Sequence, residues 1–239
     1  MNGPIAQQMP RVDTPLATSR AAGVLYLLNI TTILVAVSLF RGIMVSNDAS
    51  ASATRLVGHE ARFHLAIALE LVSTASSVGV AGLLYTLLKP VSENLSLIAA
   101  FFRLLACGIA VVGYGLQVAP LQILTDIHRG SGFTSDQLQA LALVAYRLHG
   151  PLSDMVIVFF GFHFVLIAML ILRSTLLPRA LGVLVGLAGA GALTMLMPPL
   201  GRSLFPYFVG VGFAAEVSLA LWLAFRGVDL RDWPELSSV

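Results

Sequence analysis

The chain has 239 residues, of which 57% are hydrophobic and only 11% charged, with a mean hydropathy of +0.89. A soluble domain carries about 25% charged residues, so this composition excludes a water-facing surface and makes lipid the solvent. A formal net charge of +2 is too small to suggest a nucleic-acid partner, and the pI near 9.0 reflects a small arginine excess rather than a basic patch.

The first nineteen residues, MNGPIAQQMPRVDTPLATS, are polar and proline-containing and read as a tail. The apolar run that follows, 21–40, is too long for the core of a signal peptide and suits a bilayer crossing. DASASA at 48–53 resembles a cleavage site, but Arg41 and further residues separate it from that run, so the run is kept as a span. Five more runs follow at 63–88, 95–116, 153–172, 181–196 and 204–225. The third would reach Leu124 only through Pro120, which removes a backbone donor and kinks a helix. KPVSEN, RSTLLPR and PPLG break the chain between spans.

The connection 125–152 is longer. Its TSDQLQALALVAYRLHG segment opens with helix-capping residues, and Leu138, Leu141, Val144 or Ala145, and Leu148 recur at helical spacing. It reads as an interfacial helix or as an extension of the fourth span broken at Gly150–Pro151, and the first reading is preferred. The fifth span is short and glycine-rich. Gly182 and Gly186, four apart, allow close helix approach, expected here within the chain. The expected fold is an all-α integral membrane protein, a polytopic bundle of about six transmembrane helices plus one interfacial amphipathic helix. It forms a single domain over 20–226, between tails at 1–19 and 227–239.

Six spans put both termini on one side. That side carries Arg11, Arg20, Lys89, Arg173, Arg179, Arg226 and Arg231, against Arg41, Arg55, Arg62, Arg129, Arg147 and Arg202. The totals nearly tie, but Lys89, Arg173 and Arg179 fall in two short loops, where the positive-inside bias counts most. Cytoplasmic termini are expected.

Arg103 interrupts AAFFRLLACGIAVVGYGL, and an arginine at the bilayer centre costs about 2.5–3.5 kcal/mol on insertion scales. At a rise of about 1.5 Å per residue, Arg103 and Asn29 lie about 12 Å into their spans from the terminal side. His163 and Glu216 lie about 13 Å in from that same side. Ionisable residues inside spans face the bundle interior and pair, so Arg103 is expected to pair with Glu216, with His163 and Asn29 joining by hydrogen bonds. Two readings stand at even weight: a ligand-binding polar centre, or a structural lock that fixes helix order.

A second group lies toward the opposite face, where Glu70, His64, His149 and Asp154 form a candidate zinc set, with His59, Glu60, Asp126 and His128 on the same side. HEARFH is not the H-E-x-x-H motif, because histidines five apart diverge around a helix. The set converges only if the second and fourth spans are neighbours, and scattered interfacial side chains are the preferred reading. His149 and His163 have a spacing seen for haem ligands, but no convincing opposing ligand faces them. No cofactor is expected, zinc being the one alternative. Cys107, the single cysteine, forms no internal disulfide and no cysteine-rich metal site. The chain lacks a nucleophile elbow and a phosphate-binding glycine loop.

Several stretches together resemble a bacterial membrane-protein family, domain of unknown function 4386. They are RAAGVLYLLNI, FHLAIALELVS, LLYTLLKPVSENLSLIAAFFRLL, SDQLQALAL, LHG and FFGFHFVLIAMLILRSTLLPRALG, with the likeness reaching LPRALGVLVGLAG. The resemblance implies a multi-pass protein of the bacterial inner membrane and carries no activity with it. It covers Glu70, Arg103, His149 and His163, while Glu216 falls where the likeness is weakest. The expected function is non-enzymatic, a polar centre binding a small ligand, ion or lipid headgroup. The alternatives are a membrane-embedded metal-dependent lipid hydrolase and a structural or regulatory subunit. Membrane lipid is the expected partner.

Overall fold

A backbone in lipid must satisfy its own hydrogen bonds, and helices do so within one segment. The computed structural model describes residues 13–43, 49–125 and 132–229, and the elements there are all helical. They are α1 (Asp13–Phe40), α2 (Ala49–Gly58), α3 (Glu60–Leu88), α4 (Glu93–Thr125), α5 (Ser135–Leu172), α6 (Arg179–Leu193) and α7 (Pro198–Phe225), with a 3-10 turn at Thr194–Leu196. Six are long and apolar enough to cross a membrane, α6 together with its 3-10 turn. Much of the expected N-terminal tail lies outside the described residues, as do Arg129, Asp126 and His128, while α1 already covers Asp13–Ser19.

The amphipathic short helix is α2, between the first two spans, and not the 134–150 segment. Ser52, Ala53 and Leu56 of α2 are buried, while Thr54, Arg55 and Val57 are exposed. The 134–150 segment instead opens α5, a helix of 38 residues that runs through Pro151. Thr134 caps it with a reciprocal capping box to Gln137, which fixes the start where the sequence places one. At about 1.5 Å per residue α5 is about 57 Å long, nearly twice a hydrocarbon core of about 30 Å. Its first turns therefore stand beyond the core, and packing offsets the backbone bond that Pro151 removes. Leu138 and Ala142 are buried there, Ala142 in a cluster with Leu56 of α2, Phe63 of α3 and Leu121 of α4. Pro120 is likewise carried inside α4, which reaches Thr125.

The six spans form a ring in chain order. Each packs on its neighbours in the sequence, and α7 closes the ring against α1. Small residues permit the closest approaches. A Cβ on Gly23 of α1 would collide with the backbone of Ala224 on α7. One on Gly189 of α6 would lie 2.9 Å from the Gly161 carbonyl oxygen of α5. Gly182 and Gly186 face Ile171, Leu172 and Ala168 of α5, so the small-residue spacing serves packing within the chain.

Two apolar clusters occupy the ends of the bundle. On the terminal side Ala22, Val80, Leu84, Leu170, Ile171, Leu219 and Leu223 pack together. On the other, Ile43, Leu56, Phe63, Ile67, Leu121 and Leu124 do so. Large apolar side chains such as Val24, Phe101, Val112, Leu187 and Phe225 point outward. That is the pattern of a lipid-facing surface. Between the two clusters lies a polar layer.

Candidate functional site

The polar layer is organised by Arg103, which is 0% exposed. A buried guanidinium that cannot shed its proton needs acceptors, and α1, α3 and α5 supply them. Its Nε donates to Ser77 of α3, at 2.9 Å to Oγ and 3.1 Å to the carbonyl oxygen. Nη1 donates to the Tyr26 hydroxyl of α1 at 3.2 Å and to His163 Nε2 of α5 at 3.2 Å. Nη2 has no hydrogen-bond partner among the described residues. The guanidinium carbon lies 4.8 Å from the Tyr26 ring centre and 5.3 Å from that of Phe160, both within reach of a cation–π attraction.

The tautomer of His163 follows from its neighbours. Nδ1 lies 2.9 Å from the Ala99 carbonyl oxygen, which can only accept, so Nδ1 carries the proton. Nε2 is then the acceptor that Arg103 requires. Both ring nitrogens are committed, which leaves none to bind a haem iron.

Glu216 does not touch Arg103 directly. The Tyr26 hydroxyl stands between them, accepting from Arg103 and donating to Glu216 Oε1 at 3.1 Å. The expected ion pair is thus a relay of two hydrogen bonds. Asn29, expected to join by hydrogen bonds, pairs elsewhere and makes none with Arg103, Tyr26, His163 or Glu216. Its side-chain amide donates to the Ser73 carbonyl oxygen and Oγ, both at 2.8 Å, and Ser73 Oγ donates back to the Asn29 carbonyl oxygen at 3.1 Å. This clamp joins α1 to α3.

Beside the network lies a cavity of about 360 Å³, within the range of small-molecule sites. Asn29, Ser73, Ser77 and Glu216 form a polar edge, while Phe160, Phe164, Phe208 and Phe213 are among its apolar walls. Arg103 is not part of the lining. It sits behind Ser77, Phe160 and Glu216, and reaches the last through Tyr26.

Tyr26, Ser73 and Ser77 were not singled out from the sequence, although a signal exists. Tyr26 precedes Asn29 by three residues, and Glu70, Ser73 and Ser77 follow one another at three and four, so each set shares a helix face.

The four side chains of the candidate zinc set do not converge. His64 is exposed at the start of α3 and lies 3.5 Å from Glu60. His149 Nδ1 donates to the Gly113 carbonyl oxygen of α4 at 3.1 Å, and its Nε2 is 3.0 Å from the Ser153 hydroxyl. Asp154 is half-buried on α5, and Glu70 is buried on α3. The spacing required α3 and α5 to be neighbours, whereas α4 packs against both and separates them. Among the described residues no three His, Cys, Asp or Glu side chains could hold one ion.

Residues 21–227 match the family described as domain of unknown function (DUF4386). The chain is also 30% identical over 158 residues to an uncharacterized protein of Archaeoglobus fulgidus, an alignment covering 65% of this chain and 79% of that one. No solved structure matches it. The match runs from within the first candidate membrane span to just past the sixth and includes every residue of the Arg103 network, and on it the chain belongs to the DUF4386 family.

Proposed function

We propose that this protein is a non-catalytic binding protein whose cavity holds a small, mostly apolar, uncharged molecule bearing a hydrogen-bond donor. The observation that carries the reading is the placement of the Glu216 carboxylate at the cavity wall with Arg103 two hydrogen bonds behind it. Arg103 and Glu216 balance one another. An ionic ligand would add an uncompensated charge at low dielectric, whereas a hydroxyl would meet Asn29, Ser73 and Glu216 at no such cost. A lipid alcohol or similar amphiphile fits this chemistry.

The second reading, a structural lock, is favoured by the absence of Arg103 from the cavity lining. The bilayer proposed is the bacterial inner membrane, with cytoplasmic termini, supported by Lys89, Arg173 and Arg179 in the short loops. The ligand reading is tested with octanol, octylamine and octanoate added to protein in lipid nanodiscs, followed by thermal unfolding. Octanol should stabilise the protein most, and Glu216→Gln should weaken that effect. Equal effects of all three, or a preference for octanoate, would refute the reading.

A further inference from the structure

Away from Arg103, two buried acceptors stand without partners. Among the described residues Glu70 Oε2 on α3 and Gln117 Oε1 on α4 have no hydrogen bond, in residues only 7% and 4% exposed. The register of the helices brings them together. Thr74 Oγ1 and the Tyr114 hydroxyl are 3.0 Å apart, and Glu70 and Gln117 follow about one turn further along this antiparallel pair.

Leaving two such atoms bare in an apolar setting is costly, about 1–3 kcal/mol for each unsatisfied group. Neither of the two ion pairs among the described residues, His64–Glu60 and Lys89–Glu93, involves Glu70. The Tyr114 hydroxyl of α4 stands one turn away at Thr74, and Tyr146 of α5 is a further hydroxyl in its electrostatic surroundings. A metal cation would need a fuller oxygen shell than two orphans provide. One proton answers both. Bound to Glu70 Oε2, it makes the carboxyl neutral and supplies a donor. Gln117 Oε1, the other unpartnered atom, is then its acceptor.

We infer that Glu70 and Gln117 form a proton-binding site, in which a carboxylic acid at Glu70 donates to the Gln117 side-chain carbonyl. The site is one helical turn from the cavity, because Thr74 and Tyr114 line that cavity and the Thr74 hydroxyl donates to the Glu70 backbone carbonyl. The inference is independent of what the cavity binds.

Infrared spectroscopy of the protein in nanodiscs at neutral pH tests it. The expected result is a protonated-carboxyl carbonyl band that shifts in heavy water, persists in Glu216→Gln and is lost in Glu70→Gln. Absence of the band from the wild type, or its survival in Glu70→Gln, overturns the assignment. Should Glu70→Gln fail to fold, Gln117→Leu provides the second arm. There the band should move to higher frequency as the acid loses its acceptor, and an unmoved band counts against the pair. Replacing sodium chloride by choline chloride should leave thermal stability unchanged. A sodium-specific stabilisation that disappears in Gln117→Leu would replace the proton by a metal ion.

Discussion

Tyr26→Phe is the most discriminating change available in the polar layer. It removes one oxygen and leaves the ring, so the cation–π contact at 4.8 Å is retained. Two hydrogen bonds are lost, at 3.2 Å from Arg103 and 3.1 Å to Glu216. Side-chain hydrogen bonds between membrane helices average only about 0.6 kcal/mol, with a maximum near 1.7. Both bonds here involve charged groups, for which about 1.5–3 kcal/mol each is usual. The upper membrane value and the lower charged value meet near 1.5, giving a loss of about 3 kcal/mol for the pair. At about 2–4 °C per kcal/mol for a chain of this size, the unfolding temperature should fall by about 6–12 °C. The assay is thermal unfolding in nanodiscs, with Tyr85→Phe as control, since that hydroxyl makes only an exposed 3.4 Å contact with Glu93. A Tyr26→Phe protein that unfolds with the wild type would refute the relay.

Three further outcomes follow from the same geometry. Arg103→Gln and Glu216→Gln should each destabilise the fold by about 3–5 kcal/mol, the cost of orphaning a buried charge, and the double variant should recover part of the loss. Unfolding of the double variant at or below the worse single would break the charge-balance argument. Gly23→Ala should prevent the α1–α7 contact and abolish monodisperse protein on size exclusion, because its Cβ would strike the Ala224 backbone. Gly82→Ala, with open space around it, should be neutral or slightly stabilising. For orientation, a membrane-impermeant maleimide applied to intact cells should label Thr54→Cys and not Asn94→Cys, in a Cys107→Ser background, and the reverse result would invert the topology.

The spans were legible because each is a long apolar run, and the depth estimates for Arg103, His163, Glu216 and Asn29 pointed to one layer. What the sequence left open was azimuth and adjacency. Tyr26 looked like one more large apolar residue of the first span, yet its hydroxyl joins the two charges that were expected to meet. Depth alone cannot show which helix lies between two others, so the zinc set was judged without α4 in place. Pro151 was read as a break by its local chemistry. Packing of Ala142 against Leu56 and Leu121 and the capping box at Thr134 outweigh one missing backbone bond, and α5 continues. Similarly, Glu70 was visible as an anomaly, but its relation to Gln117 depended on the α3–α4 register.

The central claim is that the space beside Glu216 is a binding site, and native mass spectrometry of protein released from nanodiscs tests it most directly. Gly212 borders the cavity and has only the Ala188 Cβ, at 4.0 Å, near the position of an added side-chain carbon. Gly212→Leu should therefore fill the cavity without disturbing the Arg103 network. The account predicts that wild-type protein carries a bound small amphiphile and that Gly212→Leu, equally folded, does not. Wild-type protein with no bound mass, or a Gly212→Leu protein that retains it, would contradict the claim and leave Arg103 as a lock for the helices alone.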